Sequence, residues 1–140
     1  MRKKSQRGFT LIELMVTVAI LAILSAIAYP LYESQSRKGK RPDGITALEK
    51  VAQAEQRYFS DANPSTFTTT VTALPGITSA TSPGGYYTIT VAGDTAGIAT
   101  SFVATATAIG SQASDTCTAF KLYSSGKRDG TPDRQTCWGK

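Results

Sequence analysis

The amino-acid sequence predicts an α+β protein in which a long N-terminal helix, membrane-spanning in its first half, packs on a C-terminal antiparallel β-sheet. Three observations lead to this expectation: an apolar run over residues 9–32, a second helical pattern over residues 45–59, and short alternating segments between residues 86 and 123. A chain of 140 residues has room for one small domain besides a membrane segment.

The apolar run over residues 9–32 is the first predicted element. It contains a single charged side chain, Glu13. As a helix it measures about 36 Å, which is long enough to cross the hydrocarbon core of a membrane. Pro30 lies near its end, and we expect this proline to kink the helix rather than to end it. The run is therefore predicted to span a membrane.

A polar segment, residues 33–44, follows the apolar run. Gly39 and Pro42 weaken any helix here, because glycine is a poor helix former and Pro42 has no N–H to donate to the carbonyl of residue 38. We expect a bend or a short break at this point. Residues 45–59 form a better helix, with four apolar side chains on one face: Ile45, Leu48, Ala52 and Phe59.

Three alternating segments are strand candidates: residues 86–91, 101–109 and 116–123, the last followed by a turn at 124–126. The connections between them are short and carry no helical pattern. They therefore favour an antiparallel meander over a parallel sheet. The apolar face of the helix at 45–59 needs a partner, and the inner face of this sheet is long enough to provide it.

The charge distribution points to a membrane anchor rather than to a nucleic-acid-binding protein. The net charge is +5, but Arg2, Lys3, Lys4 and Arg7 precede the apolar run, and the rest of the chain carries only +1. A nearly neutral domain gives no bulk attraction to nucleic acid, so no specific nucleic-acid partner is expected. We interpret the basic start as a cytoplasmic anchor, and the basic side chains over 37–41 as a solvated face near the membrane.

The two cysteines, Cys117 and Cys137, are predicted to form one disulfide if the protein is exported. The chain has no histidine and no CxxC pair, so neither a zinc site nor a redox motif is indicated. The bridge would close a ring of about 20 residues and would stabilise the fold by roughly 3 kcal/mol. The alternative is a pair of free buried thiols in a cytosolic protein.

Other candidate sites carry weaker signals. Asp129 and Asp133 flank a glycine-containing segment, but they lack the oxygen ligands of a calcium loop, and a solvated turn is predicted there. Tyr86, Tyr87 and Trp138 are expected to pack in the core or at its rim. The sequence contains no nucleophile elbow and no glycine-rich phosphate loop, so we expect no catalytic activity, no metal and no cofactor.

Three hypotheses compete for the front segment: a signal peptide cut after residues 26–28, a plain membrane anchor, and a precursor cut after Gly8. Glu13 separates them. An acidic side chain in the middle of a membrane costs about 2.5–3.5 kcal/mol, and neither a signal peptide nor a plain anchor gains anything from it. A cut after Gly8 would free the amine of Phe9, with which Glu13 of a neighbouring subunit could pair in an apolar bundle.

Residues 8–30, GFTLIELMVTVAILAILSAIAYP, resemble the N-terminus of type IV prepilins and of type II secretion pseudopilins. In that family a dedicated prepilin peptidase removes the leader after the glycine and methylates the new N-terminal residue. The resemblance therefore implies cleavage after Gly8, methylation of Phe9, an assembly role for Glu13 and a helix kink at Pro30. It implies other pilin subunits, the peptidase and an inner-membrane assembly platform as partners.

The resemblance also implies an organisation for the whole chain: a leader over 1–8, a membrane and filament-core helix over 9–32, and a globular domain over 33–140 with a disulfide loop over 117–137. The globular part is similar to minor pilins of the PilE kind. We expect a structural subunit that waits in the bacterial inner membrane with its N-terminus cytoplasmic and then enters a surface pilus. Such pili serve twitching motility, adhesion or DNA uptake. A secretion pseudopilin and a soluble periplasmic binding domain remain the alternatives.

Overall fold

The computed structural model describes residues 8–139 and forms two compact units, one ending at Ser36 and the other beginning at Arg37. Helix α1 spans Leu11–Asp61. Its first part is apolar enough to cross a membrane, with a mean hydropathy of 2.5 over its most apolar window. The apolar side chains between Phe9 and Tyr32 are exposed, as expected for a surface that faces lipid or other helices.

The second unit contains a four-stranded sheet: β1 at Tyr87–Gly93, β2 at Phe102–Ala108, β3 at Ala119–Tyr123 and β4 at Arg128–Thr131. The strand order is β1-β2-β3-β4, and every neighbouring pair is antiparallel. The predicted meander and the α+β class are therefore confirmed. A short helix α2, Arg134–Trp138, follows β4.

The core lies between the second half of α1 and one face of the sheet. The predicted alternation is confirmed, since Tyr87, Phe102 and Phe120 are fully buried. From α1 the buried apolar side chains are those of Ala47, Leu48, Val51 and Ala54. The helix therefore packs on the sheet with the predicted face, although Leu48 and Val51 are the most buried apolar side chains of that face.

The sequence predicted a bend or a short break at Gly39–Pro42. The break is wrong, because α1 is continuous through both residues and also through Pro30, whereas the bend stays a prediction. The two residues after Pro42 contact distant parts of the globular unit. The Asp43 carboxylate accepts a hydrogen bond from the N–H of Gly84 at 2.9 Å, and Gly44 packs directly against the ring of Tyr87. Tertiary contacts therefore override the weak local helix propensity. The kink at Pro30 stays a prediction.

The segment after residue 126 differs from the prediction. Asp129 was expected in a solvated turn, but it lies in β4, opposite Lys121 of β3. The turn at 124–126 is confirmed, because the N–H of Tyr123 donates to the carbonyl of Lys127 and closes a β3–β4 hairpin. Polar strand residues without alternating apolar side chains gave no strand signal in the sequence.

Gly44 generates a testable prediction. A Cβ at this position would lie 2.8 Å from the ring of the fully buried Tyr87, so Gly44→Ala should destabilise the fold by about 1–3 kcal/mol. Gly39→Ala is the matched control, since a Cβ at this second helical glycine meets nothing within 4 Å and should stabilise by roughly 0.5–1 kcal/mol. Urea unfolding of the full chain in detergent, followed by Trp138 fluorescence, measures both. Equal stabilisation by the two variants would contradict the close helix–sheet contact.

Candidate functional site

The N-terminal segment Gly8–Thr10 precedes α1 and is exposed, with Phe9 at 84%. The Thr10 hydroxyl accepts a hydrogen bond from the N–H of Glu13 at 3.3 Å, and the Thr10 carbonyl accepts one from the N–H of Leu14 at 3.2 Å. Thr10 therefore caps the helix in a Thr-x-x-Glu pattern. This pattern is a local sequence signal for a helix N-terminus, although it was not among the features from which the helix was predicted.

The Glu13 carboxylate lies in the first turn of α1 and is exposed. Within residues 8–139 it makes no hydrogen bond and no ion pair. A negative charge in the first turn is favourable beside the partial positive charge of the helix N-terminus. The carboxylate is therefore held in place by its helix and remains available to a cationic group outside the described residues.

A buried polar cluster joins α1 to the connection between β2 and β3 and to α2, and we call it the Arg41 clamp. Arg41 donates to the two carboxylate oxygens of Asp115, from Nε at 2.6 Å and from Nη2 at 2.8 Å. Its Nη1 donates to the carbonyl of Thr136 at 2.8 Å, and its Nη2 also reaches the Thr116 hydroxyl at 3.2 Å. The Gln112 amide completes the clamp, donating to Asp115 Oδ2 at 3.1 Å and to a backbone carbonyl of α1 at 2.9 Å.

The clamp corrects one expectation. Arg41 was placed on a solvated face, but its side chain is only 13% exposed and that of Asp115 only 3%. Desolvation alone would raise the pKa of Asp115, but the hydrogen bonds and the charge of Arg41 outweigh it and lower that pKa. The hydrogen bond to Asp115 likewise raises the pKa of Arg41. Both groups are therefore held in their charged forms.

The predicted disulfide between Cys117 and Cys137 is present. Each cysteine directly follows a residue that contacts Arg41, namely Thr116 or Thr136. The bridge therefore fixes the two sides of the Arg41 clamp relative to each other. Gly130 makes room for it, because a Cβ there would lie 2.7 Å from the Cys137 sulfur.

A second buried ionisable side chain lies farther along α1. Glu55 is fully buried, and its Oε2 accepts a hydrogen bond from the N–H of Thr68 at 3.1 Å. Burial raises the pKa of Glu55, although the bond from Thr68 opposes the shift. The sequence did not single out Glu55, because a glutamate in a helix normally faces solvent. This carboxylate ties the loop after α1 to the helix.

The β3–β4 hairpin carries two exposed cations beside aromatic rings. Lys127 Nζ lies 5.1 Å from the ring centre of Tyr123, and the Arg128 guanidinium lies 4.9 Å from that of Trp138. Arg128 also pairs with Glu49 at 3.3 Å. As predicted, Trp138 packs at the rim of the core. Among residues 8–139, no group of three or more His, Cys, Asp or Glu side chains is placed to hold a metal ion.

Two protein-family models match this chain. The model described as "Type IV minor pilin ComP, DNA uptake sequence receptor" matches residues 30–121. The model described as "Prokaryotic N-terminal methylation motif" matches residues 3–29. The first match covers β1, β2 and most of β3, and the second covers the segment with the exposed Glu13.

Curated relatives match over shorter segments. The chain is 39% identical over 61 residues to fimbrial protein EcpC of Eikenella corrodens, which is 44% of this chain and 40% of that protein. It is 44% identical over 55 residues to the type IV major pilin PilA of Myxococcus xanthus, 39% of this chain and 25% of that protein. It is 39% identical over 54 residues to the type IV major pilin PilE1 of Neisseria gonorrhoeae, 39% of this chain and 33% of that protein. The chain thus covers less than half the length of these relatives.

The Arg41 clamp predicts a pH-dependent stability. Asp115→Asn leaves Arg41 buried without its counter-charge, which should cost about 3 kcal/mol at neutral pH. Because the pKa of Asp115 is lowered in the folded state, the ionised carboxylate stabilises above its unfolded pKa, and this contribution is lost as the pH falls through the folded pKa. The difference between wild type and variant should therefore be constant above about pH 5 and shrink below about pH 4.

The control for this measurement is Glu49→Gln. It removes an ion pair whose side chains are 45% and 49% exposed, so it should cost less than about 1 kcal/mol. Urea unfolding of the full chain between pH 3 and pH 7 compares the variants. If Asp115→Asn costs no more than Glu49→Gln, or if its cost is the same at every pH, the clamp does not stabilise the fold through its charge.

Proposed function

Since its match to the ComP model places this chain in the type IV minor pilin family, we propose that it is a minor subunit of a type IV pilus that helps to initiate or support assembly. The family and the fold are structural rather than enzymatic. The subunit enters the filament through residues 9–32 and carries residues 33–140 as its globular domain. Prepilin peptidase and an inner-membrane assembly platform are the partners that this role requires.

One observation supports the mechanism most directly: Glu13 lies in the segment that matches the methylation motif, and its carboxylate is exposed without a partner among residues 8–139. Cleavage after Gly8 would give Phe9 a free amine. Methylation keeps that amine cationic. In a bundle of apolar helices, Glu13 of one subunit and Phe9 of the next would then neutralise each other.

The proposed topology follows from the same segment. Before assembly the chain crosses the inner membrane once, with the basic residues 2–7 on the cytoplasmic side. The domain then lies in an oxidising compartment, which agrees with the bridge between Cys117 and Cys137. From there the subunit would move into the pilus on the cell surface.

Glu13 provides the decisive test. Glu13→Ala should permit membrane insertion and cleavage. It should lower the amount of this protein in sheared pili relative to the amount in membranes, because the partner amine would lose its counter-charge at a cost of about 3–5 kcal/mol. Glu13→Gln should enter pili nearly as poorly as Glu13→Ala, although glutamine keeps the shape and the hydrogen bonding of glutamate. The control is Thr10→Ala, which removes the helix cap but not the charge. Wild-type ratios for both Glu13 variants would refute the paired-charge mechanism.

The same preparation of sheared pili tests whether this protein is a minor or a major pilin. The family is described as minor, whereas the relatives from Myxococcus and Neisseria are major pilins. A minor subunit should form a small part of the sheared pilin mass, and deletion of its gene should reduce surface pili while the major subunit stays in the membrane. If this protein makes up most of the filament mass, it is the major pilin.

DNA capture is a second candidate function, favoured by the family description, which names a DNA uptake sequence receptor. The net charge argued against nucleic acid, but the β3–β4 hairpin combines exposed Lys127 and Arg128 with two aromatic rings, which suits phosphate and base contacts. Full-length protein in detergent should bind oligonucleotides in a salt-sensitive manner. Lys127→Gln with Arg128→Gln should weaken that binding, and Lys38→Gln should not. Salt-insensitive or unchanged binding would reject the hairpin as the DNA site.

A further inference from the structure

A groove runs beside α1, between the helix and residues 75–83, and we call it the α1 groove. It consists of two adjoining cavities of about 310 and 260 Å³, which share Lys50, Gly76 and Ile77. The larger cavity alone falls within the size range of ligand pockets. The groove lies on the globular unit and does not include the Arg41 clamp or the β3–β4 hairpin.

The helix side of the α1 groove is a polar stripe. Lys50, Gln53 and Arg57 line it, and their spacing of three and four residues puts them on one face of the helix. All three are exposed. In the part of the chain from Gly8 to Gly139 none of the three side chains makes a hydrogen bond, an ion pair or a ring contact. Two cations thus point along one groove without an anionic partner.

Some cations of the globular unit are engaged. Arg41 is bound to Asp115 and Arg128 to Glu49. Lys40 lies over the ring of Tyr86.

Lys38, Lys121 and Arg134, in contrast, have no side-chain partner among the described residues. A free lysine on its own would be an ordinary solvated side chain. Lys50 and Arg57 differ from those three because both line one cavity. Two free cations on the rim of a shared cavity are a specific arrangement of charge.

The other surfaces of the groove restrict the chemistry of a ligand. The hydroxyl groups of Thr78, Ser79 and Thr81 line the larger cavity, together with buried Val51 and Ile89. The smaller cavity, which both Lys50 and Arg57 line, has an apolar floor formed by Ala54, Pro75 and Ile77. The residues that line the two cavities include neither a carboxylate nor an aromatic side chain. The lining therefore suits a ligand with negative charges and an aliphatic part.

We propose that the α1 groove binds an extended acidic peptide segment, with carboxylates at Lys50 and Arg57 and an aliphatic side chain on the floor. Nucleic-acid bases and sugar rings normally need an aromatic surface for stacking, and the groove has none. Lys50 and Arg57 are about 10.5 Å apart along the helix axis. An extended peptide in the polyproline II conformation has three residues per turn and rises about 3.1 Å per residue, so carboxylates three residues apart lie on one face about 9.3 Å from each other and match this spacing.

The test uses the full-length protein in detergent micelles and a fluorescein-labelled peptide with the sequence Ser-Glu-Leu-Val-Glu-Ser. Fluorescence anisotropy should detect binding that weakens as salt rises. The same peptide with glutamine at both glutamate positions should bind more weakly. Lys50→Gln and Arg57→Gln should each reduce the affinity about two- to five-fold, as expected for exposed ion pairs.

Two matched controls lie outside the groove. Lys38→Gln and Arg134→Gln remove the same charges from exposed positions and should leave the affinity unchanged. Unaltered urea midpoints show that the groove variants are folded. Equal losses in groove and control variants would mean that net charge, not the groove, attracts the peptide, and would overturn the proposal.

Two other anionic ligands test whether the groove prefers an acidic peptide. A heparin-derived hexasaccharide and a single-stranded oligonucleotide are measured with the same variants. If either binds more tightly than the peptide and depends on Lys50 and Arg57, the ligand class is wrong. Absence of peptide binding up to millimolar concentration would reject the site. Because this assay needs no pilus, a failure here leaves the proposed assembly role untouched.

Discussion

Arg41 and Asp115 form the ion pair at which helix α1, the connection between β2 and β3, and helix α2 meet. The guanidinium is held by Asp115 on one side and by the carbonyl of Thr136 on the other. Both contacts come from residues close in sequence to the bridged cysteines, so the disulfide and the ion pair stabilise one arrangement. A charge pair this buried is favourable only when hydrogen bonds satisfy both partners, and Gln112 contributes one of them.

The helix–sheet interface has an ionisable side chain at each end and an apolar centre. Arg41 lies at one end and Glu55 at the other, two side chains that a helix in contact with a core rarely buries. Leu48 and Val51 fill the space between them. A shift of α1 by one turn along its axis would leave both buried polar groups without their hydrogen-bond partners, so these two residues help to specify the register of the helix.

The two compact units suit different tasks. The N-terminal unit exposes an apolar surface that Glu13 interrupts near its start, which suits a segment that packs among similar helices. The globular unit stabilises itself through the clamp, the sheet and the bridge between Cys117 and Cys137, and therefore leaves its outer surfaces free for other partners. The α1 groove combines cations with aliphatic side chains, whereas the β3–β4 hairpin combines cations with aromatic rings.

The sequence by itself determined the features that depend on neighbouring residues: the apolar helix after Gly8 and the antiparallel strands that begin near Tyr87. The pairing of the two cysteines followed from the export that the N-terminal segment implies. Only the tertiary structure decided that α1 continues through Pro42, that Arg41 is buried, and that Asp129 lies in a strand. The physical reason is that contacts between residues far apart in the chain, such as Arg41 with Asp115 and Gly44 with Tyr87, outweigh local propensity and leave no periodic signal in the sequence.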